Sequence, residues 1–137
     1  TFNQGFMTTE LLAAALLDME LHNLTDTDNL NVVAFEKETM DKLGLIPEIA
    51  PRYRATYFSH IIGGYAAGYY SYLWAEVLDT DAFEAFKEHG VFDKNTADSF
   101  RKNILEKGGT EDPMTLYRAF RGADPSLEPL LENRGLK

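Results

Sequence analysis

The stretch His60-Ile61-Ile62-Gly63-Gly64-Tyr65-Ala66-Ala67-Gly68-Tyr69-Tyr70-Ser71-Tyr72-Leu73-Trp74 carries four of the seven tyrosines of a 137-residue chain and its single tryptophan. The glycine pair frees the backbone, and the tyrosines after it recur at helical spacing. A helix opened by Tyr65 places Tyr65, Tyr69 and Tyr72 on one face, at i, i+4 and i+7. Tyr70, Leu73, Trp74 and Val77 fall on another. The helix is expected to reach about Leu78 and, apolar or aromatic on nearly every side, to lie buried in something larger. Two readings of the tyrosine face stand. One is aromatic packing in a core. The other is a wet cleft: a buried hydroxyl without a partner costs about 1–3 kcal/mol, and phenols beside His60 make sense as donors to a substrate carbonyl or an oxyanion. Gly63 and Gly64 would let the backbone approach a ligand closely.

The rest of the chain reads as helices between local stop signals. Met7 to about Asn23 is the first, with a start possible from Phe2 onward; Leu12, Leu16 and Met19, with Leu11 and Ala15, are its expected inward face. Turn residues 25–29 follow, then Asn31 as N-cap of a helix through Leu43, with Val32, Phe35 and Leu43 inward and Gly44 as its stop. Pro47 and Pro51 make 45–53 a loop, and 56–62 is either helical turns or a short strand. Asp79 or Thr80 is expected to cap a separate helix carrying Phe83 and Phe86 to Gly90. Asn95 with Asp98 resembles a capping box for a helix ending at Gly108-Gly109. Thr110 caps the next, with Pro113 in its first turn, Met114, Tyr117 and Phe120 on one face, and Gly122 as its end. Asp124-Pro125 opens a last short helix with Leu127, Leu130 and Leu131. No period-two alternation occurs, so the class is all-α, and 1–137 is the size of one domain.

Composition excludes several functions. A hydrophobic fraction of 45% and a charged fraction of 26% are those of a globular protein. The net charge of −9 offers no basic stripe for nucleic acid and disfavours an anionic membrane surface. No apolar run is long enough to span a bilayer. With no cysteine there is neither a disulfide nor a thiolate metal site. The three histidines, His22, His60 and His89, form no metal-binding pair, and His22 and His89 read as surface or capping residues. No nucleophile elbow is present. The start, Thr1-Phe2-Asn3-Gln4, lacks an initiator methionine and a leader, and a piece entered in mid-sequence is expected; a cytoplasmic location is expected, with a signal sequence in the parent left open.

The segment Tyr57-Phe58-Ser59-His60-Ile61-Ile62-Gly63-Gly64-Tyr65 and on to Trp74 (57–74) resembles the C-terminal signature of the thimet oligopeptidase family of zinc metallopeptidases, which includes oligopeptidase A and the peptidyl-dipeptidases. The likeness runs from Glu10-Leu11-Leu12-Ala13-Ala14-Ala15-Leu16-Leu17-Asp18-Met19 to Leu131-Glu132-Asn133-Arg134-Gly135-Leu136. The first helix and Pro51-Arg52-Tyr53-Arg54 resemble most the bacterial peptidyl-dipeptidase (dipeptidyl carboxypeptidase) branch. The resemblance implies an irregular multi-helix C-terminal portion of a larger, mostly helical, zincin-like enzyme that releases C-terminal dipeptides or cleaves short peptides. It implies that His60 and Tyr65 contact the substrate backbone, that Tyr69 lines the subsites and that Tyr72 donates to the developing oxyanion. Gly63 and Gly64 belong to the substrate-binding segment. Zinc is implied for the parent, but the His-Glu-x-x-His motif is absent here, so no metal ligand is assigned and the piece is expected to be inactive alone. The expected partners are a peptide substrate and the N-terminal remainder of the enzyme, with self-association through exposed apolar surface as a further possibility. Arg52 and Arg54 suit a free carboxylate, but a surface salt bridge is favoured for them. The rival reading is a free-standing all-α module that binds peptides without chemistry.

Overall fold

Gln4–His22 is built largely from strong helix formers, and in a computed structural model that describes residues 2–137 it forms helix α1. Asp26 then accepts the Asp28 amide at 2.9 Å in a side-chain turn. Asn31 caps α2 (Val32–Lys42) by accepting the Ala34 amide at 3.0 Å, and Gly44 ends it at φ 67°. Two 3₁₀ turns, Ala55–Tyr57 and Ser59–Ile62, lead into a run of turns through Tyr70. Next come α3 (Ser71–His89), α4 (Lys94–Phe100) with a π turn over Arg101–Leu105, α5 (Pro113–Arg121) and α6 (Glu128–Arg134). No strand occurs among the described residues, and the chain is all-α.

Several local expectations are corrected. The tyrosine segment is not a helix at Tyr65: turns occupy 63–70, and regular helix begins at Ser71. Ala67 has φ 52°, a left-handed conformation that ends any right-handed helix passing through it. No break occurs at Asp79 or Thr80 either. The Thr80 hydroxyl donates to the Glu76 carbonyl one turn back at 2.7 Å, a bond available inside a helix, and α3 runs on to His89. The cap of α4 is Asp93, not Asn95, and that of α5 is Asp112, not Thr110; each carboxylate accepts the amide three residues on, at 2.7 and 2.9 Å. The last helix starts at Glu128 rather than at Asp124-Pro125.

By contact the chain forms two units, one running to Leu73 and the other from Trp74 to Lys137. The first has its core at Ala14, Ala15, Phe58, Ile61 and Tyr69, with Leu11, Leu21 and Tyr53 against it. Small alanines on α1 allow the aromatic segment to approach the helix closely. The buried face of α1 is therefore Ala13, Ala14, Ala15, Leu17 and Asp18, whereas Leu12, Leu16 and Met19 are exposed. Likewise α2 buries Glu36 and Thr39, while Val32 and Phe35 are half-buried and Leu43 is exposed.

In the second unit, Phe86, Phe100 and Phe120 meet edge to face or tilted, Phe100 and Phe120 at 5.1 Å. An apolar cavity of about 290 Å³ lies among Leu78, Ala82, Phe100, Ile104, Leu116 and Tyr117. Its polar anchor is Asp81, buried on α3, which accepts the Tyr117 hydroxyl at 2.5 Å and lies 3.4 Å from Arg121 Nε. Burial, then the hydrogen bond to Asp81 and its negative charge, push the Tyr117 phenol far above its ordinary value. A phenol whose folded value is raised contributes stability that is whole below pH 10 and is lost as pH climbs above it. Tyr117→Phe leaves a buried carboxylate short of a donor. We expect it to lower stability by about 1–3 kcal/mol at neutral pH, read as a lower urea midpoint, and to flatten the loss of stability above pH 10. An unchanged midpoint would dismiss the pair as a stabilising contact.

Candidate functional site

Although no regular helix presents them, the phenols meet. The rings of Tyr65 and Tyr72 stack at 5.2 Å with a 16° interplanar angle, and Tyr69 meets Tyr72 edge-on at 5.1 Å. His60 lies in the middle of the group. Its ring centroid is 4.8 Å from Tyr53, 5.3 Å from Tyr69, 5.9 Å from Tyr65 and 6.3 Å from Tyr72. All four side chains singled out in the sequence are thus brought together. Their environments differ. Tyr69 is only 3% exposed and packs edge-on against Phe58, whereas Tyr65 and Tyr72 are 40% and 39% exposed. Core packing and an accessible face, alternatives in the sequence, coexist in one cluster.

The turn that achieves this is held from two helices. Asp18 of α1, 0% exposed, accepts the amide of Ala67 at 3.0 Å on one oxygen and that of Tyr69 at 2.9 Å on the other. His22 Nδ1 lies 2.8 Å from the same carboxylate and 2.9 Å from the Asp18 carbonyl, so that nitrogen carries a proton shared between two acceptors. A left-handed alanine costs roughly 1–2 kcal/mol, and two charge-assisted bonds flanking it offset that cost. At the other end Glu36 of α2 accepts the Ala55 amide at 2.8 Å and pairs with Arg54 Nε. Arg54 is thereby engaged in a salt bridge, as the sequence favoured, and Arg52 is exposed. Between these anchors Phe58, wholly buried and stacked on Tyr53 at 5.1 Å, plugs the segment into the core. Gly63 and Gly64 have open space where a Cβ would stand, so their side of the turn is unobstructed.

Asp18 and Glu36 are absent from the sequence-based site. Asp18 has one faint signal there, a lone acid sharing a helix face with Ala14 and Ala15; Glu36 looks like any solvated helix charge.

The phenols are held as donors. A hydrogen bond with Tyr65 is the main cause raising Tyr72 above the ordinary phenol value, and partial burial adds to it. Burial raises Tyr69, opposed by the nearby charge of Arg52. Both remain protonated across the physiological range and can offer O–H to a carbonyl or oxyanion. The His60 Nδ1 atom is buried without a hydrogen-bond partner among the described residues. An unpaired acceptor is tolerated better than an unpaired donor, which puts the ring proton on Nε2. Among the described residues no group of three or more His, Asp or Glu side chains could hold a metal ion. No helix there is long and apolar enough to cross a membrane.

Comparison with known proteins fits this geometry. The chain is 45% identical over 138 residues to a dipeptidyl carboxypeptidase of Salmonella typhimurium, covering 98% of this chain and 20% of that protein. An oligopeptidase A of Escherichia coli is 58% identical over 81 residues, 58% of this chain and 12% of its own length. A probable cytosolic oligopeptidase A of Arabidopsis thaliana is 41% identical over 142 residues, covering 99% and 20%. The chain thus spans about a fifth of the length of the curated relatives that it matches throughout. The model of peptidase family M3 matches residues 1–136, segment 57–74 included, and the chain belongs to that family.

Proposed function

We propose that this chain forms the substrate-facing wall of a peptidase of family M3 that hydrolyses peptides, releasing dipeptides from their C-termini. The observation that carries the reading is the convergence of two half-exposed, protonated phenols, Tyr65 and Tyr72, on His60. Peptide hydrolysis turns a planar carbonyl into a tetrahedral oxyanion. A neutral phenol already oriented towards that oxygen stabilises it without reorganising. Tyr72 is the donor proposed for that task, with Tyr65 fixing its orientation through their hydrogen bond. His60, donating from Nε2, and Tyr65 hold the peptide backbone. The buried ring of Tyr69 backs them, and Gly63 and Gly64 let the main chain of the substrate pass close.

The zinc ion that the family implies finds no ligand set among the described residues of this chain, so no step is assigned to it here. Its ligands are proposed to lie in the remainder of the enzyme, the chain's principal partner. A cytoplasmic setting is part of the same proposal. Nothing in the geometry favours a binding module without chemistry.

Three outcomes are expected. In the full-length enzyme, Tyr72→Phe lowers kcat about 100-fold or more with little change in KM, as for loss of one oxyanion donor; near-normal steady-state turnover would refute the assignment. The 137-residue chain alone, supplied with zinc, shows no cleavage of a fluorogenic peptide; zinc-dependent turnover surviving repurification would overturn its dependence on the remainder. Tyr65→Phe removes the main cause of the raised Tyr72 value. The Tyr72 phenol, followed by NMR of ¹³C-labelled tyrosine, should then titrate at lower pH than in the parent. An unshifted titration would show that the two hydroxyls are not bonded.

A further inference from the structure

A carboxylate has no packing reason to occupy the buried face of α1, where Ala14 and Leu17 are its neighbours in sequence and burial. Its bonds show what it does there. Along the turn, the amide of Tyr65 goes to the His60 carbonyl, that of Gly68 to Tyr65 and that of Ser71 to Gly68. The amides of Ala67 and Tyr69 go instead to Asp18. The path continues towards the tyrosine face, because the amide of Tyr72 donates to the Tyr69 carbonyl at 3.3 Å. Asp18 therefore grips the peptide units on both sides of Gly68, one hydrogen bond away from the backbone of Tyr72. His22, donating to the same carboxylate from one turn further along α1, restrains its rotation.

We propose that Asp18 is a positioning residue for the tyrosine face: its carboxylate holds residues 67–69 so that Tyr72 stands where turnover requires it. The proposal rests on the peptidase reading above and adds a residue that touches no substrate. A merely structural carboxylate would destabilise the enzyme when removed. A positioning one lowers kcat in a folded, metal-loaded enzyme, and does so through Tyr72.

The test is a double-mutant cycle in the full-length enzyme, with zinc content, thermal midpoint, kcat and KM measured for each variant. Asp18→Ala is expected to keep stoichiometric zinc and to lower kcat by about 10- to 100-fold, the scale of a misplaced catalytic group, with KM within about threefold. Asp18→Asn keeps one acceptor oxygen but turns an NH₂ towards an amide donor, and should fall between Asp18→Ala and the parent. In a Tyr72→Phe background, Asp18→Ala should cost less than about threefold more, because the group it positions is gone. A kcat within about twofold of the parent overturns the proposal, as do equal losses in the two backgrounds or loss of zinc. If Asp18→Ala does not fold, Asp18→Asn takes its place in the cycle. If neither folds, Asp18 is a core residue and the positioning role is overturned. Failure of the peptidase reading is seen separately, as unimpaired turnover in Tyr72→Phe alone.

Discussion

A carboxylate taken wholly out of water must be surrounded by donors, because an unpaired buried charge costs far more than one hydrogen bond returns. Asp18 meets that requirement with two backbone amides and one imidazole, and the first unit follows from it. The requirement works in both directions. Helix α1 cannot bury the face that holds Ala14 and Ala15 unless the turn at 67–69 comes to it. That turn, with a left-handed alanine inside it, lacks a sufficient internal hydrogen-bond pattern without the carboxylate. Helix and turn complete one another.

Glu36 repeats the device at the other end of the segment, taking the Ala55 amide and Arg54. Two acids on two helices thus bracket the fifteen or so residues that carry Phe58, His60 and Tyr65. Fixing only the ends would leave the middle free to pivot. The wholly buried Phe58 and the buried Ile61 give it a hydrophobic seat as well. Polar anchors set direction and apolar contacts set depth. Between them the aromatic rings have little room for other arrangements, whereas Gly63 and Gly64, with no heavy atom where a Cβ would be, stay outside the packing.

What is legible in the sequence is what short-range chemistry decides. Asn31 caps α2, and Gly44 and Gly122 end helices at positive φ, because each needs only its immediate neighbours. The caps at Asp93 and Asp112 are displaced by two residues from the expected ones for the same local reason: several acceptors compete and only the fold chooses. The buried face of α1 is a different matter. Its helix is apolar most of the way round, so periodicity leaves two faces eligible, and the bulkier one, with Leu12, Leu16 and Met19, is exposed. The alanine face is buried because the partner is a turn that needs close approach and an acid. That partner lies about fifty residues away, and no window of helical length contains both.

The tyrosines show why residue type can point to a site when the assumed geometry is wrong. Helical spacing from Tyr65 predicts a shared face, but these residues lie on turns, and the shared face arises because the turns fold the chain back. A phenol in a packed cluster needs a partner for its hydroxyl, which restricts it to a place where a partner exists. Tyr72 finds one in Tyr65, and both keep more than a third of their surface open. Phenylalanine would serve the stacking equally well and would offer nothing to a carbonyl oxygen. Tyr69, deep in the same cluster, does what an aromatic core residue does, and its neighbours stay at the surface because it fills the interior. One buried ring supporting two exposed donors is an economical way to keep phenols both oriented and accessible, and it depends on the backbone of Tyr69 being held by Asp18.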